Sequence, residues 1–132
     1  QELLRGPEAS VAVIEGFRGQ ELYALPPAHT QLPEGDVFYS RTHHNEALAR
    51  HTVPSHFSAE EKRALEEAAR TAHRALGMMH FSHANFILRN GKPYIIEVDA
   101  VPALYEGAAF PQMLEAVGSS SREFLEHAIA LS

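Results

Sequence analysis

The chain has 132 residues, with eleven Lys and Arg against seventeen Asp and Glu, and a formal net charge of −6. That length supports one domain with a core of its own. The acidic balance excludes nucleic acid as the main partner and offers no basic patch to an anionic membrane. With no cysteine there is no disulfide framework and no thiolate metal site, and no apolar run approaches the length of a membrane span.

In chain order, Gln1 to Ser10 reads as the end of a helix followed by a loop, with Gly6-Pro7 as the break. Val11 to Phe17 is a predicted strand on its β-branched residues Val11, Val13 and Ile14. Gly19 turns the chain, and Glu21 to Leu25 returns as a second strand. Taken alone, this is a plain hairpin with Glu21 exposed. Pro26 to Asp36 holds three prolines and reads as loop, and Val37-Phe38-Tyr39 as a short strand. The His43-His44 pair suggests a transition-metal site, but neighbours in an extended segment point apart, which argues against it.

Ser58 to Leu76 is the clearest helix. Ser58 and Glu61 form a capping box. Leu65, Ala68, Ala69, Ala72, Ala75 and Leu76 make an apolar stripe at helical spacing, and Gly77 stops the helix. His73 and Arg74 complement the helix dipole. A β-hairpin follows, from His80 to Ala100 with Asn90-Gly91 at its turn. On its second strand Ile95, Glu97 and Asp99 share one face. Two carboxylates on one face of an apolar strand are either solvated or paired, and a hard dication such as Mg²⁺ would pair them. Pro111 opens a short helix, Met113 to Val117, closed by Gly118. Ser120 and Glu123 cap a last helix, whose Phe124, Leu125, Ala128, Ile129 and Leu131 are expected to face inward. There is no internal repeat and no low-complexity segment.

An ordered set of short motifs resembles the C-terminal part of the D-alanine–D-alanine ligases, members of the ATP-grasp class. The set is Glu15-Gly16-Phe17-Arg18-Gly19-Gln20-Glu21, Leu32-Pro33, Phe38-Tyr39, Ala75-Leu76-Gly77, Asn85-Phe86-Ile87-Leu88, Gly91, Tyr94, Glu97-Val98-Asp99, Pro102 and Phe110-Pro111. The resemblance implies an α+β domain over residues 1–132: a largely antiparallel sheet with helices packed on one face, forming the C-terminal half of an ATP-grasp fold. It implies ATP-dependent carboxylate–amine ligation through an acyl phosphate, with ATP and Mg²⁺ as cofactors, a small amino acid as substrate, and a place in peptidoglycan biosynthesis. It further implies a cytoplasmic location, leaves room for a homodimer, and makes the chain part of a longer protein whose N-terminal part is missing.

Carried over residue by residue, the resemblance puts Ile14, Glu15 and Phe17 along the adenine and Glu21 on the ribose. It makes Asn85, Glu97 and Asp99 the metal ligands. His83 stands where an arginine holds the phosphorylated intermediate, and His44 where a lysine meets the reacting phosphate. Ala103, Tyr105 and Ala108 lie in the substrate loop. The departures are specific. The family has an acidic residue at Ile14, Asp first and Asn last in the metal trio, a glycine at Ala103 and a serine at Ala108. A histidine supplies neither the planar fork of arginine nor the reach of lysine. Two other readings follow from these losses: a catalytically degenerate relative acting as a binding or assembly module, and a ligase for a different amino-acid acceptor.

The hairpin turn sets two rules against each other. A two-residue type I′ turn at Asn90-Gly91 pairs Arg89 with Lys92 and turns Asn85 away from Glu97 and Asp99. A three-residue loop with a bulge at Gly91 pairs Leu88 with Lys92, Asn85 with Ile95 and His83 with Glu97. The implied chemistry needs Asn85 and Glu97 together, so the three-residue loop is expected.

Overall fold

A computed structural model describes residues 6–31, 50–53, 55–105 and 107–132. Among these residues six strands and three helices follow one another as β1 (Glu8–Glu15), β2 (Leu22–Ala24), β3 (Ala28–Gln31), β4 (Arg50–Thr52), α1 (Ala59–Ala75), β5 (Phe81–Arg89), β6 (Lys92–Asp99), α2 (Ala109–Ala116) and α3 (Ser121–Leu131), with a 3-10 turn at Phe17–Gly19. The sheet order is β4-β3-β1-β5-β6, with β2 also on β1, and every pairing among the described residues is antiparallel.

β1 is the spine of the sheet. One edge pairs along its length with β5, and the other is divided between β3 at its start and β2 at its end. Strand alternation gives β1 two apolar faces. Ala9, Val11 and Val13 pack with Leu65 and Ala69 of α1. Ala12 and Ile14 pack with Phe110, Met113 and Leu114 of α2 and Phe124 of α3. The α+β class and the antiparallel sheet are as expected, but the helices cover both faces rather than one. The physical reason is that β1 and β5, buried on both sides, cannot leave either face to water.

The α1 helix begins as expected. Ser58 accepts from the Glu61 amide at 3.1 Å, and the Glu61 carboxylate accepts from the Ser58 amide at 2.9 Å. Its apolar stripe is shorter than expected, because Leu76 is 60% exposed. His73 is buried instead, within 2.7 Å of the Ser82 hydroxyl through Nδ1 and 3.8 Å from the Glu15 carboxylate through Nε2. The other face is anchored by three aromatic rings. Phe110 meets Phe81 at 4.9 Å and Phe124 at 4.8 Å between centroids, both edge-on. Of the expected inward face of α3, Phe124 is buried, whereas Leu125, Ile129 and Leu131 are exposed.

Three segments differ from expectation. Glu8 to Ser10 belong to β1, not to a loop. Ala28–Gln31 form β3 inside the proline-rich stretch, because Pro26 and Pro27 precede the ladder and remove no donor from it. The expected strand at Val37-Phe38-Tyr39 and the His43-His44 pair lie outside the described residues.

Candidate active site

The β5–β6 hairpin sets the geometry. Arg89 pairs with Lys92 across Asn90 and Gly91, at φ 52° and 76°. This is the two-residue turn with two left-handed residues, so the expectation of a three-residue loop is wrong. The ladder then slips by one residue: Phe86 pairs with Ile95, but Asn85 pairs with Glu97 and His83 with Asp99. Ile96 is the extra residue of this bulge. The bulge restores the alternation that the turn would have broken. Asn85, Glu97 and Asp99 therefore share one face, by a register that neither rule anticipated.

That face carries a polar row across five strands. His51 of β4 lies 3.0 Å through Nδ1 from the Thr30 hydroxyl of β3. Thr30 lies 3.4 Å from the Ser10 hydroxyl of β1. Ser10 donates to Oδ1 of Asn85 on β5 at 2.7 Å, and Nδ2 of Asn85 donates to Glu97 on β6 at 3.2 Å. Ser10, Thr30 and Asn85 are each buried. Buried polar groups of this kind persist only when bonded, and each of these is. Glu8, buried at the start of β1, stands on the same face. The sequence reading missed Ser10, Thr30, His51 and Glu8. The available signal was the alternation Glu8-Ala9-Ser10-Val11, hidden by reading the segment as loop.

His83 lies on this face beside Asp99. Its Nε2 is buried and has no hydrogen-bond partner. Burial pushes the imidazole down to about 4, with Asp99 opposing the shift and His51 adding to it. At neutral pH His83 is therefore uncharged and does not offer an anion the positive charge of an arginine. His44 lies outside the described residues.

The four residues expected along the nucleotide stand at the other end of β1. Ile14 and Phe17 have side chains buried in the aromatic core, which leaves their backbone groups as the part that could meet an adenine. Phe17 stacks on Tyr23 at 5.5 Å. The Glu15 carboxylate accepts from the His80 amide, and its carbonyl is 2.7 Å from Nε2 of His127. Glu21 has an exposed side chain. In the loop after β6, Tyr105 is exposed, Ala103 is half-buried, and Ala108 is buried as the residue capping α2, without a side-chain bond. An open groove of about 530 Å³ between α1 and β6, lined by Ala68, Ala72, Phe86, Pro93 and Ile95 among others, lies against the opposite face of the sheet.

The donor set on the polar face suits a hard dication. Glu97 and Asp99 are half-buried carboxylates on one strand face, and the third donor is an amide. Among the described residues no three His, Asp or Glu side chains converge closely enough to hold a metal by themselves. The amide beside them is that of Asn85, whose Oδ1 is turned onto Ser10.

The family model described as "D-ala D-ala ligase C-terminus" matches residues 1–130. A D-alanine–D-alanine ligase of Leptospira interrogans is 30% identical over 132 residues, covering 99% of this chain and 38% of its own length. A ligase of the same name from Flavobacterium johnsoniae is 30% identical, with 100% of this chain and 40% of its own length covered. Among solved structures, the VanG D-Ala:D-Ser ligase of Enterococcus faecalis superposes with a TM-score of 0.78 at 26% identity, covering 98% of this chain and 37% of that one. The D-alanine–D-alanine ligase of Bacillus anthracis, solved with ATP, gives 0.76 at 18% identity over 97% of this chain and 38% of its own, a likeness of fold. The chain thus spans well under half the length of the relatives it matches.

Proposed function

Because the chain belongs to the D-Ala–D-Ala ligase C-terminal family, we propose that it is the part of a longer ATP-dependent carboxylate–amine ligase that holds the metal-bound phosphates. The observation that carries this reading is the bulged register that sets Glu97 and Asp99 beside Asn85 on one face. In the reaction, a carboxylate oxygen takes the terminal phosphoryl group of ATP and ADP leaves. The amine of a second amino acid then attacks the acyl phosphate, phosphate departs, and the amine loses a proton.

Glu97, Asp99 and the amide oxygen of Asn85 would hold Mg²⁺, which when bound draws the phosphate oxygens together and offsets their charge. The remaining roles belong to the chain's own residues. The two carboxylates on a strand that is hydrogen-bonded to β5 are fixed in spacing before any ligand arrives. His83, uncharged at neutral pH, would donate a single N–H to a neighbouring phosphoryl oxygen rather than offer it a charge. The cationic partners of the phosphates would then be other groups of the whole protein, which we place in the cytoplasm with its ATP supply.

The two amino acids would lie against Ala103, Tyr105 and the cap of α2. Where the resemblance implies a glycine, Ala103 adds a methyl group, and where it implies a serine, Ala108 lacks the hydroxyl donor. D-alanine is therefore the first acceptor to test, and other small D-amino acids the next. The test is ADP release by the full-length protein with Mg²⁺, ATP and each candidate. Release that depends on an added amino acid supports the reading. Nucleotide binding with no release for any small D- or L-amino acid would overturn it.

A further inference from the structure

The hydrogen bonds of the polar row all run one way. Asn85 gives its Nδ2 to Glu97 and takes the Ser10 proton on Oδ1. With its proton committed to Asn85, Ser10 has only lone pairs to offer Thr30, so the Thr30 hydroxyl donates to Ser10. Thr30 then has only lone pairs to offer His51, so Nδ1 of His51 must carry a hydrogen. With the amide of Asn85 in this orientation the directions behind it follow, because each hydroxyl has a single proton.

Metal binding by Asn85 needs its oxygen turned toward Glu97 and Asp99, and that turn reverses every bond behind it. Nδ2 then faces Ser10 and donates to it. Ser10 must donate to Thr30, and Thr30 must donate to His51. Nδ1 of His51 must accept, which it does only when bare. We propose that Ser10, Thr30 and His51 are positioning residues that set which atom of Asn85 faces the metal, and that metal occupancy is read out as loss of the Nδ1 proton of His51. That proton passes to water, and in a neutral ring Nε2 takes one up in its place. The alternative, a turned amide with the row left unreversed, sets the NH₂ of Asn85 against the Ser10 O–H and leaves buried donors facing each other, which is the costly arrangement.

This inference rests on the metal–nucleotide reading above. The experiment is ¹⁵N NMR of the full-length protein with labelled histidine and asparagine side chains, titrated with Mg²⁺ and ADP. Without ligand, Nδ1 of His51 carries its hydrogen. On saturation that signal is expected to shift to the position of a bare ring nitrogen. In Ser10→Ala the row is severed, so His51 keeps its ligand-free form however much Mg²⁺–ADP is bound. Thr30→Val severs it at the next bond and serves if Ser10→Ala does not fold. Mg²⁺–ADP perturbing the Asn85 amide while Nδ1 of His51 stays protonated overturns the relay and leaves the ligase reading standing. No perturbation of Asn85 at any ligand concentration overturns both.

Discussion

His83 should make the chain acid-sensitive, and removing it should remove a definable part of that sensitivity. Its imidazole is pushed from 6.5 to about 4 in the fold, chiefly by burial. In the unfolded chain it takes up its proton near the ordinary value, so between these limits the unfolded state binds more protons than the native one. Stability is then fully present above about pH 6.5 and is lost as the pH falls toward 4. For a single group shifted by this much, linkage gives a loss of about 2 kcal/mol at pH 5 and at most about 3 kcal/mol at pH 4. His73 and His29 are lowered in the same direction, both mainly by burial, so the parent loses more than this in total. The perturbation is His83→Gln, which keeps a polar head and removes the titration. Urea midpoints of parent and variant are measured at pH 7 and pH 5, and the comparison is the drop within each protein. Any general cost of the substitution cancels. The drop is expected to be smaller in the variant by about 2 kcal/mol. An equal drop in both proteins would refute the assignment of His83 as a buried neutral base.

Other perturbations test the fold. Ser58→Ala removes one half of the capping box of α1 and should cost about 1 kcal/mol in urea denaturation. Phe110→Ala opens the centre of the aromatic cluster, where the ring is fully buried, and should cost about 3–5 kcal/mol. Gly91→Ala places a side chain at φ 76° with open space around it, so only the backbone preference is lost, about 1 kcal/mol by the same assay.

What the sequence made legible was set by short-range chemistry. The cap at Ser58, the strand expected over Val11 to Phe17 as far as Glu15, the helix α1 and the Asn90-Gly91 turn signal depend on residues within a few positions of one another, and all appear in the fold. The site needed more. Whether Asn85 faces Glu97 is decided by one extra residue at Ile96, and a bulge inside an apolar strand leaves no compositional mark. Asn85 and Glu97 share a face as expected, but through a two-residue turn and a bulge rather than a three-residue loop. The row behind Asn85 joins residues up to 75 positions apart in sequence, Ser10 to Asn85 being the longest span. Ser10, Thr30 and His51 are ordinary on their own, and only the strand order β4-β3-β1-β5-β6 lines them up. Ile14 and Phe17 show a different ambiguity: apolar character fits an adenine wall and a core equally well, and both side chains lie in the cluster of Phe81, Phe110 and Phe124.

The central claim is that Glu97 anchors the metal-bound phosphates, and calorimetric titration of Mg²⁺–ADP into the full-length protein and its Glu97→Gln variant tests it most directly. The amide keeps the shape and the hydrogen bond with Asn85 but removes the charge that a hard dication seeks. The account expects the variant to bind at least tenfold more weakly, a loss of about 1.4 kcal/mol or more, and Asn85→Ala to lose less than Glu97→Gln. Equal affinity in the parent and the Glu97 variant would contradict it.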